Sequence, residues 1–160
     1  MGLIEEKDVV NDVIDVDISP IKKKRFRING DNNKILELNV SDTTIIKRIP
    51  EAEKKLKKLA EEATSFTDDE LKDNSADGLE TFSKKLDSID SKMRTIVDEI
   101  FNAPVSAVCA DDGSMYDPFD GQFRFEYIIE KIIALYEENI TVEYSKLHER
   151  VKKHTSKYIK

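Results

Sequence analysis

One cysteine in 160 residues, Cys109, rules out an intramolecular disulfide and any zinc or iron–sulfur site built from several thiolates. A lone thiol fits a reducing compartment. Five glycines and four prolines are too few for a collagen-like or Pro/Gly-driven disordered chain, and they argue against a protein made mostly of β-turns. No apolar run approaches the roughly 18 residues of a membrane span. The opening Met1-Gly2-Leu3-Ile4-Glu5-Glu6 is too acidic for a signal peptide, and Glu6 stands where the myristoylation pattern wants Ser or Thr. Basic charge is in deficit as well. With 26 Lys and Arg against 33 Asp and Glu, the net −7 disfavours non-specific nucleic-acid binding, which needs a dominant basic surface. What is left is the expectation of a soluble cytoplasmic protein whose length fits one domain.

What the chain does contain is hydrophobic periodicity. Residues 1–12 are polar and acidic and read as a flexible arm. Ile14, Val16 and Ile18 then alternate with Asp15 and Asp17, which predicts a half-buried strand that Ser19-Pro20 ends. A second strand is expected over Lys24–Ile28 and a return strand over Ile35–Val40. Between them Asn29-Gly30-Asp31-Asn32-Asn33 is the strongest turn signal in the chain. Such a small meander is marginal alone, so helices must cover its apolar face.

Ser41 or Asp42 can cap a helix over about 43–64, in which Ile45, Ile49, Ala52, Leu56, Leu59 and Ala63 recur at steps of three and four. Pro50 either kinks this helix or starts a new one. Its Lys and Glu residues interleave, as on a solvated face. Residues 65–78 read as an acidic linker. Over 79–102, Phe82, Leu86, Ile89, Met93, Ile96 and Ile100 keep a seven-residue repeat. That spacing serves a coiled coil with another chain or packing inside a bundle, and bundle packing is preferred in a chain this short. Asn102-Ala103-Pro104 ends the helix and a loop follows over 103–121. A third helix is expected over 122–138, with Asn139 marking a break. A fourth, basic helix follows over 140–158, with Tyr144, Leu147, Val151, His154 and Tyr158 on its apolar stripe. The fold expected is α+β and mainly α-helical. An N-terminal two- or three-stranded antiparallel meander packs on a bundle of about four helices within one domain, 13–160.

Motifs for chemistry are missing. The glycines are too scattered for a phosphate-binding loop. His148 and His154 point in nearly opposite directions on one helix, which does not make a zinc pair. The acidic run from Asp111 to Asp120 fails the calcium-loop pattern, with Tyr116 or Asp117 where Gly is required. Cys109 has no adjacent base, and Asp111 and Asp112 would raise its pKa. No catalytic, cofactor-binding or metal-binding residue is assigned, so the chain is expected not to be an enzyme. Aromatics are more telling, because eight of twelve lie in the last 45 residues. Most of them should be core. Tyr116, Phe119 and Phe125 are candidates for exposed anchors of a protein partner. Phe82 and Leu86 are candidates on the heptad stripe, and Lys152 and Lys153 on the basic helix.

The order of these elements resembles a known family. The hairpin around Phe26-Arg27-Ile28-Asn29-Gly30, the charged helix, the stretch Ile96-Val97-Asp98-Glu99-Ile100-Phe101, the Gly/Asp loop and the short apolar helix are together similar to the small tail assembly chaperones of long-tailed (siphovirus-type) phages and prophages of Gram-positive bacteria. The likeness covers roughly residues 24–138, so the first twenty residues and the basic C-terminal helix extend beyond it. It implies a non-enzymatic protein, present in the host cytoplasm and absent from the mature virion. Such a protein coats the tape measure protein and helps recruit tail tube subunits. Partners are therefore expected to be proteins, with self-association left open, no membrane and no nucleic acid. The alternative is a small phage-encoded anti-defence or regulatory protein that binds and sequesters a host protein.

Overall fold

Asn29 and Gly30 both take positive φ, 55° and 69°, and turn the chain tightly enough for Ile28 N–H to donate to Lys34 O at 2.9 Å. In the computed structural model, which describes residues 12–18, 23–65 and 75–156 with side chains as far as 152, this turn joins strands β1 (Lys24–Arg27) and β2 (Ile35–Leu38). The pair is antiparallel with Phe26 opposite Leu36 and Arg25 opposite Glu37. Alternation then sorts the residues. Leu36, Leu38 and the following Val40 are sealed in the core, while Arg25 and Arg27 face water.

Helix α1 (Ile45–Thr64) runs unbroken through Pro50, which lies close enough to the N-terminus to lose one backbone bond without ending the helix. Asp42 does not cap it directly. Its Oδ1 accepts from Thr44 N–H at 2.9 Å and its Oδ2 from Arg48 Nη2 at 2.7 Å, so it closes the turn ahead of the helix. Arg48 Nε reaches across to Ile100 O at 2.9 Å and ties the start of α1 to the end of α2 (Ala76–Phe101). Helix α2 starts three residues before Leu79, because Ser75 accepts from Gly78 N–H at 3.0 Å as an N-cap. It ends where Asn102 turns left-handed (φ 49°). Ala52, Leu56, Ala60 and Ala63 of α1 meet Ile89, Met93, Val97 and Ile100 of α2 in the core. The heptad stripe is thus packed within the chain over its C-terminal half. Val97 is buried and Ile96 only partly, one position off the expected repeat.

The stretch expected as an open loop contains a short helix α3 (Val105–Cys109) and a small hairpin of β3 (Pro118–Phe119) and β4 (Gln122–Phe123). The two C-terminal helices are one, α4 (Arg124–Ser156). Asn139 does not break it. Asn costs only tenths of a kcal/mol within a helix, and here its side chain is buried and bonded on three sides. Oδ1 accepts from Lys24 Nζ at 2.8 Å, and Nδ2 donates to Val40 O at 3.3 Å and Ser41 Oγ at 3.2 Å.

One expected strand is not formed. Residues 13–18 form no strand, and Val13, Ile14, Val16 and Ile18 are 68–85% exposed. The meander therefore has two strands on a mainly helical α+β body, and a strand with no neighbour gains nothing from its alternation. Residues 1–11, 19–22, 66–74 and 157–160 lie outside the described residues, and with them most of the expected arm and linker. Lys153 and His154 lie outside the described side chains. Among the described residues no helix is long and apolar enough to cross a membrane.

Candidate protein-binding surface

The aromatic-rich loop is built on two arginines. Arg94 of α2 is bonded to Asp90 one turn earlier at 2.7 Å, and its guanidinium donates to Ser106 O at 3.2 Å and Ala110 O at 2.6 Å. Asp90 in turn accepts from Met115 N–H at 2.7 Å. Arg124, the first residue of α4, clasps the loop from the other side through Asp112 and, at 3.4 Å, Cys109 O. Gly113 lets the side chains of Arg124 and Asp117 close in. A Cβ there would lie 2.5 Å from Arg124 Nη1 and 2.6 Å from Asp117 Oδ2, both held in place by other bonds. Three of the carboxylates in the run that suggested a calcium loop have separate tasks. Asp111 accepts from Lys34 Nζ at 3.0 Å, Asp112 pairs with Arg124, and Asp117 Oδ2 accepts from Ser114 N–H at 2.9 Å. Their pairing lowers the Asp112 carboxyl and raises the Lys34 ammonium from their ordinary values. Among the described residues no three acids, histidines or thiols converge.

Asp98 holds α3 by accepting from Ser106 N–H at 2.8 Å and Ser106 Oγ at 3.0 Å. Cys109, at the end of α3, is partly buried. Burial pushes its thiol up to about 11, against an opposing pull from Arg124 and Lys34, so it is protonated at neutral pH. Asp98, not Asp111 or Asp112, is the carboxylate that adds to the rise.

The expected anchors separate on this frame. Phe125 is fully buried and is not available to a partner. Helix α4 starts at Arg124, so Phe125, Ile128, Ile129, Ile132 and Tyr136 form its inner stripe, and Phe125 N–H donates to Met115 O at 2.9 Å. Phe123, expected within the helix over 122–138, belongs instead to β4 and stacks on Phe125 at 5.7 Å. Tyr116 is half-buried against the core. Phe119 is 48% exposed and its ring packs on Tyr127 at 4.6 Å, with the Lys131 ammonium 5.3 Å from the Tyr127 centroid. Phe82 and Leu86 are half-buried on the N-terminal half of α2, remote in sequence from this cluster.

Two surfaces result. Phe119 borders a groove of about 780 Å³ between β1 and the first half of α4, floored by Phe26, Ile28, Ile128 and Leu135. The second surface is the outer half of α4. From residue 141 to 152 every side chain is exposed, including Val142, Tyr144, Leu147 and Val151 at 48–56%, with Lys152 beside them. At its root a pocket of about 300 Å³ is lined by Ser41, Asn139, Ile140, Tyr144 and Leu147. The sequence pattern located this apolar stripe, but its exposure could not be read, since core stripes have the same spacing. No family model, no curated protein and no solved structure matches this chain.

Proposed function

We propose that this chain is a non-enzymatic, protein-binding assembly factor that receives a partner helix along the outer half of α4. The observation that carries the reading is that half-helix. Tyr144, Leu147 and Val151 repeat at steps of three and four on a stretch of helix that is exposed at every residue from 141 to 152, a surface suited to helix-to-helix docking. Six Lys and Arg to one Glu over residues 146–160 favour an acidic or mixed-charge partner. The resemblance to tail assembly chaperones gives the partner its identity: a tape measure protein, long and helical, with tail tube subunits recruited afterwards. The acidic remainder of the chain would help keep such a complex in solution.

The test is co-expression of the full chain with the tape measure protein of the same phage, followed by pull-down. A complex that is retained by the parent chain and lost in Tyr144→Glu/Leu147→Glu, with an unchanged circular-dichroism spectrum, is the expected result. No complex with the parent chain would remove the chaperone reading. Recovery of a single host protein instead would favour a sequestering, anti-defence role.

A further inference from the structure

The outer half of α4 has a built foot. The pocket of about 300 Å³ at its root is lined by Ile140, Tyr144 and Leu147 from the helix and by Ser41 and Thr43 from the turn ahead of α1. Positions 140, 144 and 147 are four and three apart, so they share one side of the helix, and the pocket lies on that side. Tyr144 and Leu147 are about half exposed, at 55% and 50%. Over residues 141–152 the exposed strip is about 18 Å long and one helix wide. A second helix has the width to lie along it.

Charge selects which helix. Residues 146–160 carry six Lys and Arg to one Glu, whereas the other 145 residues carry 20 Lys and Arg to 32 Asp and Glu. The end of α4 is thus complementary to the rest of the same protein. The root of the strip is acidic too, with Glu137, Glu138 and Glu143 exposed. Helix α4 runs without a break to Ser156, so its end cannot fold back on its own root. A second copy can reach it. Glu143 and Arg150 are seven residues apart and lie on one flank of the stripe. Laid antiparallel, with a two-fold axis between Tyr144 and Leu147, the second helix sets its Leu147 against Tyr144, its Tyr144 against Leu147 and its Arg150 beside Glu143. The same contacts recur on the other side of the axis. Parallel pairing sets like residues level and makes no Glu143–Arg150 pair. Within its own helix Glu143 holds only an exposed contact with Lys146 at 3.6 Å, which contributes little.

We propose that the outer half of α4 pairs antiparallel with the same half-helix of a second copy, in a reciprocal two-fold contact that covers Tyr144 and Leu147. Each helix end then crosses the pocket at the other's root, against Ser41 and Thr43. The antiparallel direction also keeps the two acidic bodies at opposite ends. A strip of this size supplies less than the roughly 800 Å² per partner of a standard interface, so the dimer is weak and exchanges with the monomer. It is a self-covered resting form, in which a second copy and a partner helix compete for the same residues. The proposal rests on reading this half-helix as a helix-docking surface, and not on the identity of the tape measure partner.

Sedimentation velocity on the full chain, from about 10 µM to about 1 mM, tests it. A concentration-dependent shift from monomer to dimer is expected, with no larger species. Leu147→Glu alters a side chain already half in water in the single chain, so its circular-dichroism spectrum should be unchanged while dimerisation weakens at least about tenfold. Glu143→Arg and Arg150→Glu should each weaken it about three- to tenfold, because each reversal meets a like charge twice. The double variant E143R/R150E should return it to within about threefold of the parent. A chain that stays monomeric, with or without binding to phosphatidylglycerol vesicles, overturns the proposal. So does a dimer indifferent to Leu147→Glu, or a double variant no better than its worse single. A monomer that still captures the tape measure protein removes this proposal alone, and a dimer that never captures it removes the chaperone reading alone.

Discussion

Phe119 and Phe125 lie six positions apart in one aromatic run, and the structure gives them opposite environments. Phe125→Ala empties a sealed site in the core beside Phe123 and is expected to cost about 3–5 kcal/mol of stability in urea unfolding. Phe119→Ala removes a ring already half in water and should stay within about 1 kcal/mol. Equal costs for the two would contradict this placement. Cys109 allows a pH test. With its thiol raised from 9.0 to about 11 by burial, the folded chain should react slowly with iodoacetamide near neutral pH and faster as the pH climbs, whereas the urea-unfolded chain should react readily from lower pH. The same shift makes the thiol's contribution to stability complete below its unfolded value and lost as the pH rises through the folded one. Asn139, buried with three hydrogen bonds to the hairpin and the turn after it, has more at stake than its helix propensity. Asn139→Leu leaves Val40 O and the Lys24 ammonium without their partner and should lower stability by about 2–3 kcal/mol, read as a shift in denaturation midpoint.

At the scale of elements, the junction of α1 with its preceding turn depends on Asp42. Burial alone would raise its carboxyl, but bonds from Thr44 Oγ1, Arg48 and Thr44 N–H together hold it below the ordinary 3.8. A depressed carboxyl stabilises the fold above its unfolded value and ceases to do so as the pH falls past the folded one. Asp42→Asn should therefore lower the melting temperature at neutral pH and flatten its decline on acidification. The elements themselves were legible to different degrees. The Asn29-Gly30 turn, the apolar stripes of helices α1 and α2 and the Asn102 stop are written in local chemistry, and they fold as local chemistry predicts. What was not legible depends on partners distant in sequence. Asn139 reads as a break until Lys24 and Val40 are seen around it. The loop at 103–121 reads as open until Arg94 and Arg124 close it. Ile14, Val16 and Ile18 carry a strand's pattern, but the pattern does not say whether a neighbour is present.

For the whole molecule, α4 sets the outline. At 33 residues it is about 50 Å long, and its first half is packed to Tyr136 and Asn139 while residues 141–152 are exposed throughout. Backbone amides of residues 128–139 should exchange with deuterium at rates close to global unfolding, and those of 145–156 faster by orders of magnitude. Uniform protection along α4 in the monomer would show that the outer half is covered. The charge is uneven as well, with residues 146–160 carrying six Lys and Arg to one Glu in a chain of net −7.

The length of that helix has a further consequence. A detached segment of about 16 residues would be only marginally helical in water, because its first turn must be nucleated at a loss. In α4 the packed half, pinned at Asn139, is a nucleus already formed, and the outer half need only extend it. The exposed stripe therefore exists only while the body is folded. A damaged or unfinished copy would present no ordered helix there, so the recognition surface reports on the integrity of the protein that carries it.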